Sequence, residues 1–189
     1  MGSAPRAAYD GSMEAGPTPR FSLIVPAHNE QAYLGRLLDS VDLARSRCRH
    51  GAETVEVVVA DDGSTDATAA IAETRGCRVV RLAARRIAAA RNAGAAVATG
   101  EIFSFADADM RIHPETFNAI DDMLGSGRIV AGATGVTLER WSLGLAVTCA
   151  LVVPWVWLLR MDTGVVFCPS ADFRAVGGFD ERRSFGEDV

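Results

Sequence analysis

Short apolar runs alternate with amphipathic stretches along this chain of 189 residues. "FSLIV" (residues 21–25) is an apolar run stopped by Pro26, which predicts a first strand. Residues 30–49 follow with Leu34, Leu37, Leu38 and Val41 at helical spacing. "VEVVVA" (55–60) is a β-branched run and predicts a second strand. "GSTDATAAIAET" opens the next helix, with Ser64 or Thr65 as its N-cap and Asp66 in the first turn, where negative charge suits the helix dipole. "CRVVRL" (77–82) predicts a third strand, residues 88–99 an Ala-rich helix ended by Gly100, and "EIFSFA" (101–106) a fourth strand. Pro114 fits the first position of a last helix over 115–124.

That order, strand and helix in alternation, predicts an α/β fold with a mostly parallel central sheet and helices on both faces. The near-continuous apolar strands agree, because strands covered on both faces carry few polar residues. Residues 1–20, rich in Ala, Gly, Pro and Ser, read as a disordered tail, leaving one domain over 21–189.

In open parallel sheets ligands bind beyond the carboxyl ends of the strands. Three predicted strands run into polar residues there: "PAHNE", "DDGSTD" and "DADM". That edge gathers Glu30, Asp61, Asp62, Asp66, Asp107 and Asp109. Any one of these reads as a solvated loop acid or a helix cap. Asp107 and Asp109 are different, because on an extended segment residues two apart point the same way. Two converging carboxylates repel unless a cation or a proton bridges them. A hard divalent ion, Mn²⁺ or Mg²⁺, takes one or two carboxylates and completes its shell with substrate phosphates. The expected occupant is therefore a metal with a phosphate-bearing ligand.

Composition narrows the alternatives. With 49% apolar and 23% charged residues the chain is globular, and a net charge of -5 argues against a non-specific nucleic-acid binder. All 19 basic residues are Arg. The absence of Lys removes a phosphoacceptor receiver, which "ADDGS" and "FADAD" otherwise imitate, and a P-loop kinase, whose "GK[ST]" is missing as well. A sugar nucleotidyltransferase would carry a Gly-rich loop after its first strand, and "PAHNE" is not that. The four cysteines, Cys48, Cys77, Cys149 and Cys168, have no metal spacing and read as buried free thiols suited to a reducing cytoplasm. His28 lies within the first motif and is a candidate for lining a base pocket, while His50 and His113 read as surface residues.

The segments "FSLIVPAHNE", "VVVADDGSTD", "AARNAGAAVATGE", "FADADM" and "AVGGFDE…GED", in that order, resemble family 2 glycosyltransferases, which have the GT-A fold. The resemblance implies a metal-dependent, inverting transfer of a sugar from a nucleoside diphosphate to an acceptor hydroxyl. It puts Pro26, Ala27, Asn29 and Glu30 around the donor nucleoside, with His28 inside the same motif, Asp62 on the base, and Arg91 near the base or the diphosphate. It maps the DXD motif onto Asp107-Ala108-Asp109, with Asp107 toward ribose and metal and Asp109 as the direct metal ligand. Glu187-Asp188 becomes the catalytic pair, with Asp188 as general base. The loop before "RNAG" departs from the pattern: it lacks the glycine expected about four residues before Arg91, and Arg85 and Arg86 occupy it. The chain also ends at Val189, just after that pair, and reads as truncated; a base so near a free C-terminus is poorly anchored, and little or no turnover is expected of this form.

"LGLAVTCALVVPWVWLL" (143–159) is an apolar run flanked by Arg140 and Arg160, within a hydrophobic helical segment at 141–160. Trp141, Trp155 and Trp157 give it an interfacial character, and Pro154 would kink a helix. A single crossing would put Asp109 and Asp188 on opposite sides of a bilayer, so a core helix, an in-plane surface helix or a re-entrant hairpin remain. An interfacial placement would suit a lipid-linked or cell-envelope glycan acceptor and a location in the cytoplasm at the inner face of the membrane. "GGFDE" (177–181) reads as a turn whose glycines let backbone approach a sugar, or as a structural turn. The alternative function is a non-catalytic nucleotide-sugar-binding domain of the same fold, which would gain little from Glu187-Asp188.

Overall fold

A computed structural model describes residues 18–127, 129–134 and 164–182. Most of the tail, the run at 143–159, Cys149 and the pair Glu187-Asp188 lie outside the described residues. Six strands form one sheet in the order β3-β2-β1-β4-β6-β5. They are β1 (Phe21–Ala27), β2 (Val55–Asp62), β3 (Arg78–Leu82), β4 (Ile102–Phe105), β5 (Gly132–Ala133) and β6 (Val166–Pro169). The first four are mutually parallel, and β6 runs antiparallel to both β4 and β5. The helices are α1 (Leu34–Arg47), α2 (Thr68–Thr74), α3 (Ile87–Val97), α4 (Thr116–Gly125) and α5 (Ser170–Ala175).

The two-residue alternation of the strands sorts their side chains onto two faces. Phe21, Leu23 and Val25 of β1 join Val55, Val57 and Val59 of β2 in a core with Leu34, Leu37, Leu38 and Val41 of α1 and Phe117 and Ile120 of α4. Ile24, Val58, Phe103 and Phe105 face the other way, against Ala95 and Ala98, with Phe173 and Phe179 packed on them. Helices thus cover both faces, as the apolar strands predicted.

Four boundaries differ from the sequence reading, each for a physical reason. β1 does not stop at Pro26. The Ile24 carbonyl accepts from the Ala106 amide beyond the end of β4, and the β1–β4 ladder ends at Ile24. Alternation turns Pro26 toward that same vacated side, so its missing N–H leaves no ladder bond unmade. The helix after β2 starts at Thr68, and Asp66 rather than Ser64 or Thr65 supplies the oxygen at its start, accepting from the Thr68 amide and hydroxyl. Pro114 precedes α4 by a turn rather than opening it. Gly100 is no left-handed helix cap: a Cβ there would stand 2.5 Å from the Ser22 hydroxyl. That hydroxyl and the Thr99 and Gly100 amides are gathered by Glu56 at the amino edge of the sheet.

Gly94 seats α3 on the sheet, since a Cβ there would lie 2.5 Å from Ile24 Cγ2. Ile24 is fully buried and β-branched, so it cannot yield cheaply. Overpacking costs about 1–3 kcal/mol, whereas Ala gains about 0.8–1.0 kcal/mol over Gly in a helix. Gly94→Ala is therefore expected to destabilise the chain in urea unfolding. The same change at Gly35 of α1, where a Cβ meets nothing within 4 Å, is expected to stabilise it. Equal signs for the two variants would contradict the tight seat.

Candidate active site

The chain leaves β1 for β2 and β3 on one side, then returns to β4 on the other, so strand order reverses between β1 and β4. Such a reversal opens a crevice at the carboxyl ends of the strands. The three polar strand ends meet there.

The first two are laced together. Asn29, held at φ 55°, donates its amide to Ser64 Oγ (2.9 Å) and accepts from the Thr65 amide at Oδ1 (2.8 Å). The Glu30 amide donates to Thr68 Oγ1 (2.8 Å), and the Gln31 amide to Asp66 Oδ2 (3.1 Å). Ser64 and Thr65 thus hold the β1 loop instead of capping a helix. Pro26 and Ala27 are buried at the strand end.

Asp62 is buried at the end of β2 and organises the loop before α3. Its Oδ1 accepts from the Ala84 (2.7 Å) and Arg85 (2.9 Å) amides, and its Oδ2 from the Arg86 amide (2.9 Å). Arg85 takes a left-handed φ of 53°, a conformation uncommon for a residue other than glycine. His28 lies over this loop. Its Nδ1 is 2.9 Å from the Asp62 carbonyl, which only accepts, so Nδ1 carries the proton. Nε2 then accepts from Arg85 Nη1 (2.9 Å) and Asn29 Nδ2 (3.1 Å). The carboxylate expected to meet the base therefore also builds the pocket wall, with Oδ2 the less occupied oxygen.

The third strand end differs from its sequence reading. β4 stops at Phe105, and Asp107 to Met110 is a turn closed by the Met110 amide on the Asp107 carbonyl (3.3 Å). The two carboxylates are brought to the crevice by a turn, not by extended backbone. Ala108 between them is buried, Asp109 is exposed, and Asp107 accepts from Arg91 Nη2 (2.8 Å). Arg91 Nε is buried without a partner among the described residues. Across the crevice, burial and the charges of Asp109, Asp66 and Asp107 raise the pKa of Glu30 above its ordinary value. Among the described residues no three His, Cys, Asp or Glu side chains form a ready-made metal cage. The donor set at Asp107 and Asp109 instead suits a hard ion that keeps open positions for water and phosphate oxygens.

Two residues of this region were not singled out by sequence. Asn92, next to Arg91, bonds the backbone and side chain of the "GGFDE" turn, and Phe179 of that turn lies under Arg91. Gly178 thus admits Asn92, since a Cβ there would be 2.7 Å from Asn92 Oδ1, whereas a Cβ on Gly177 would meet nothing within 4 Å. Their presence in "RNAG" and "GGFDE" was the available signal.

The mostly parallel α/β sheet has the GT-A fold of glycosyltransferases, as comparison with solved structures shows. A Pyrobaculum calidifontis mannosyltransferase, PcManGT, in complex with GDP-Man and Mn²⁺, superposes with a TM-score of 0.68 at 22% identity, over 90% of this chain and 50% of that one. S. aureus TarS in complex with UDP-GlcNAc gives 0.65 at 23% identity, over 89% and 51%. Residues 22–137 match the family described as Glycosyl transferase family 2, and the chain belongs to that family. Among curated relatives it is 26% identical over 207 residues to validoxylamine A glucosyltransferase of Streptomyces hygroscopicus subsp. limoneus, covering 86% of this chain and 44% of that protein. It is 33% identical over 128 residues to undecaprenyl-phosphate 4-deoxy-4-formamido-L-arabinose transferase of Pseudomonas paraeruginosa, covering 64% and 37%. The chain spans less than half the length of either relative.

Proposed function

We propose that this chain binds a nucleoside-diphosphate sugar with Mn²⁺ or Mg²⁺ and transfers the sugar, with inversion, to an acceptor hydroxyl. The observation that carries the reading is the convergence of Asp107, Asp109 and Glu30 beside Arg91 at the crevice between β1 and β4. Asp109, exposed at the tip of its turn, is the direct ligand in this reading, and Asp107 serves ribose and metal. A bound divalent ion would supply Lewis-acid neutralisation of the departing diphosphate. Arg91, whose Nη2 already reaches Asp107, adds a charge-assisted hydrogen bond to the diphosphate in this reading. His28, Asn29 and the Asp62-held loop enclose the nucleoside, with Asp62 Oδ2 available to an N–H of the base.

An acceptor hydroxyl is a weak nucleophile at neutral pH, so a carboxylate must take its proton. Asp188, supported by Glu187, is our candidate on the sequence motif. One relative is named for undecaprenyl phosphate, which supports a lipid-linked envelope acceptor as a second reading; a phosphate acceptor is already ionised at neutral pH and would not need Asp188 as its base. An inner-membrane-face location belongs to the same proposal. No described helix is long and apolar enough to cross a membrane.

UDP and GDP are the first nucleotides to test, because structurally similar proteins have been solved with UDP-GlcNAc and GDP-Man. In a thermal-shift series, one nucleoside diphosphate is expected to raise the melting temperature in Mn²⁺ and to do little in EDTA. By mass action, ligand at a hundred times its dissociation constant adds about 2.7 kcal/mol, a shift well above noise. No shift with any nucleoside diphosphate, with metal or without, would overturn the donor reading.

A further inference from the structure

Asn92 of α3 hydrogen-bonds the turn from Gly177 to Glu181 through both ends of its amide. Asn92 Oδ1 accepts from the Phe179 amide (2.9 Å), while its Nδ2 donates to the Phe179 carbonyl (2.9 Å) and to Glu181 Oε1 (2.9 Å). The Phe179 amide can only donate and its carbonyl can only accept, so the orientation of the Asn92 amide is fixed. Gly177 at φ 84° and Gly178 at φ 79° give the turn its left-handed path. Any side chain on Gly178 would strike Asn92 Oδ1.

What the clamp holds is the Phe179 ring. Its neighbours are Phe105, at 5.0 Å between centroids and 87° between planes, and Phe173, at 5.5 Å and 62°. Both are edge-to-face contacts. The guanidinium carbon of Arg91 stands 5.4 Å from the Phe179 centroid, and Arg91 Nη2 reaches Asp107. The same turn of α3 therefore grips the 177–181 turn with Asn92 and uses the aromatic ring it presents as a bed for Arg91. A partly buried cation gains more from a ring face than an exposed one.

We infer that Asn92 and Phe179 are positioning residues: they set the plane of the Arg91 guanidinium against Asp107 and thereby tune affinity for the nucleoside diphosphate. The inference rests on the donor site proposed above. Its rival is that Phe179 only fills the aromatic cluster.

A double-mutant cycle read by calorimetry separates these, titrating the 189-residue chain with UDP, and separately GDP, in Mn²⁺. Arg91→Ala is expected to weaken binding by roughly 10–100-fold, the range for truncating a charged hydrogen bond. Phe179→Leu is expected to weaken it roughly two- to fivefold, and Phe179→Tyr, which keeps the ring face, to restore it. In the Arg91→Ala background, Phe179→Leu and Asn92→Ala should change nothing further. Asn92→Ala alone provides the same reading should Phe179→Leu fail to fold, with melting followed by circular dichroism in every variant. An equal loss from Phe179→Leu in both backgrounds would overturn the inference while leaving the donor site standing. Unchanged binding in Arg91→Ala would overturn Arg91 as a donor contact, and the inference with it.

Discussion

Asp109→Asn is expected to lose Mn²⁺-dependent binding of the nucleoside diphosphate. The substitution keeps size and hydrogen-bonding reach and removes one negative charge. Asp109 is exposed at a turn, so the fold does not depend on it. A hard cation loses a charged oxygen ligand and meets a neutral amide. Residues that merely support a ligand cost about 10–100-fold in metal affinity when changed, and a direct ligand is expected to exceed that range. Calorimetry with Mn²⁺ and the cognate diphosphate measures it. Binding within a factor of two of wild type would remove Asp109 from the metal site.

Asp188→Asn is expected to spare donor binding and to slow transfer at least ~100-fold, the low end for a lost general base. The asparagine cannot accept a proton but resembles the carboxylate in shape, so KM for the donor should stay near its original value. Release of nucleoside diphosphate in the presence of acceptor gives the rate. Normal turnover would sink the assignment of the base. The two variants are opposite in kind: one abolishes occupancy of the site, the other leaves a loaded site that does not react.

Much of the molecule was legible because its strands are buried on both faces. Apolar runs and helical spacing placed β1 to β4 and the helices between them, apart from the boundaries noted above. Pro26 misled because its cost depends on which neighbour its missing donor faces, and β4 ends too early for that side to matter. Gly100 was read as a cap, yet its smallness serves Ser22, a residue far away in sequence. The Asp107–Asp109 pair was placed at the right edge on a wrong local geometry, since strand and turn both bring two acids together. Asn92 escaped notice because its partners are supplied by a segment more than 80 positions later, at Phe179 and Glu181. Local propensity carries no information about such pairings.

The seat of α3 on Ile24 bears on redesign. With glycine already in place and no slack beneath it, the helix cannot settle closer to the sheet, and lifting it away would leave a costly void over Ile24. Tolerance for new donors must come from the stretch around Ala84 to Arg86, which is tethered to the core mainly through one carboxylate. Libraries aimed at altered donor choice should therefore diversify that stretch and leave the helix alone.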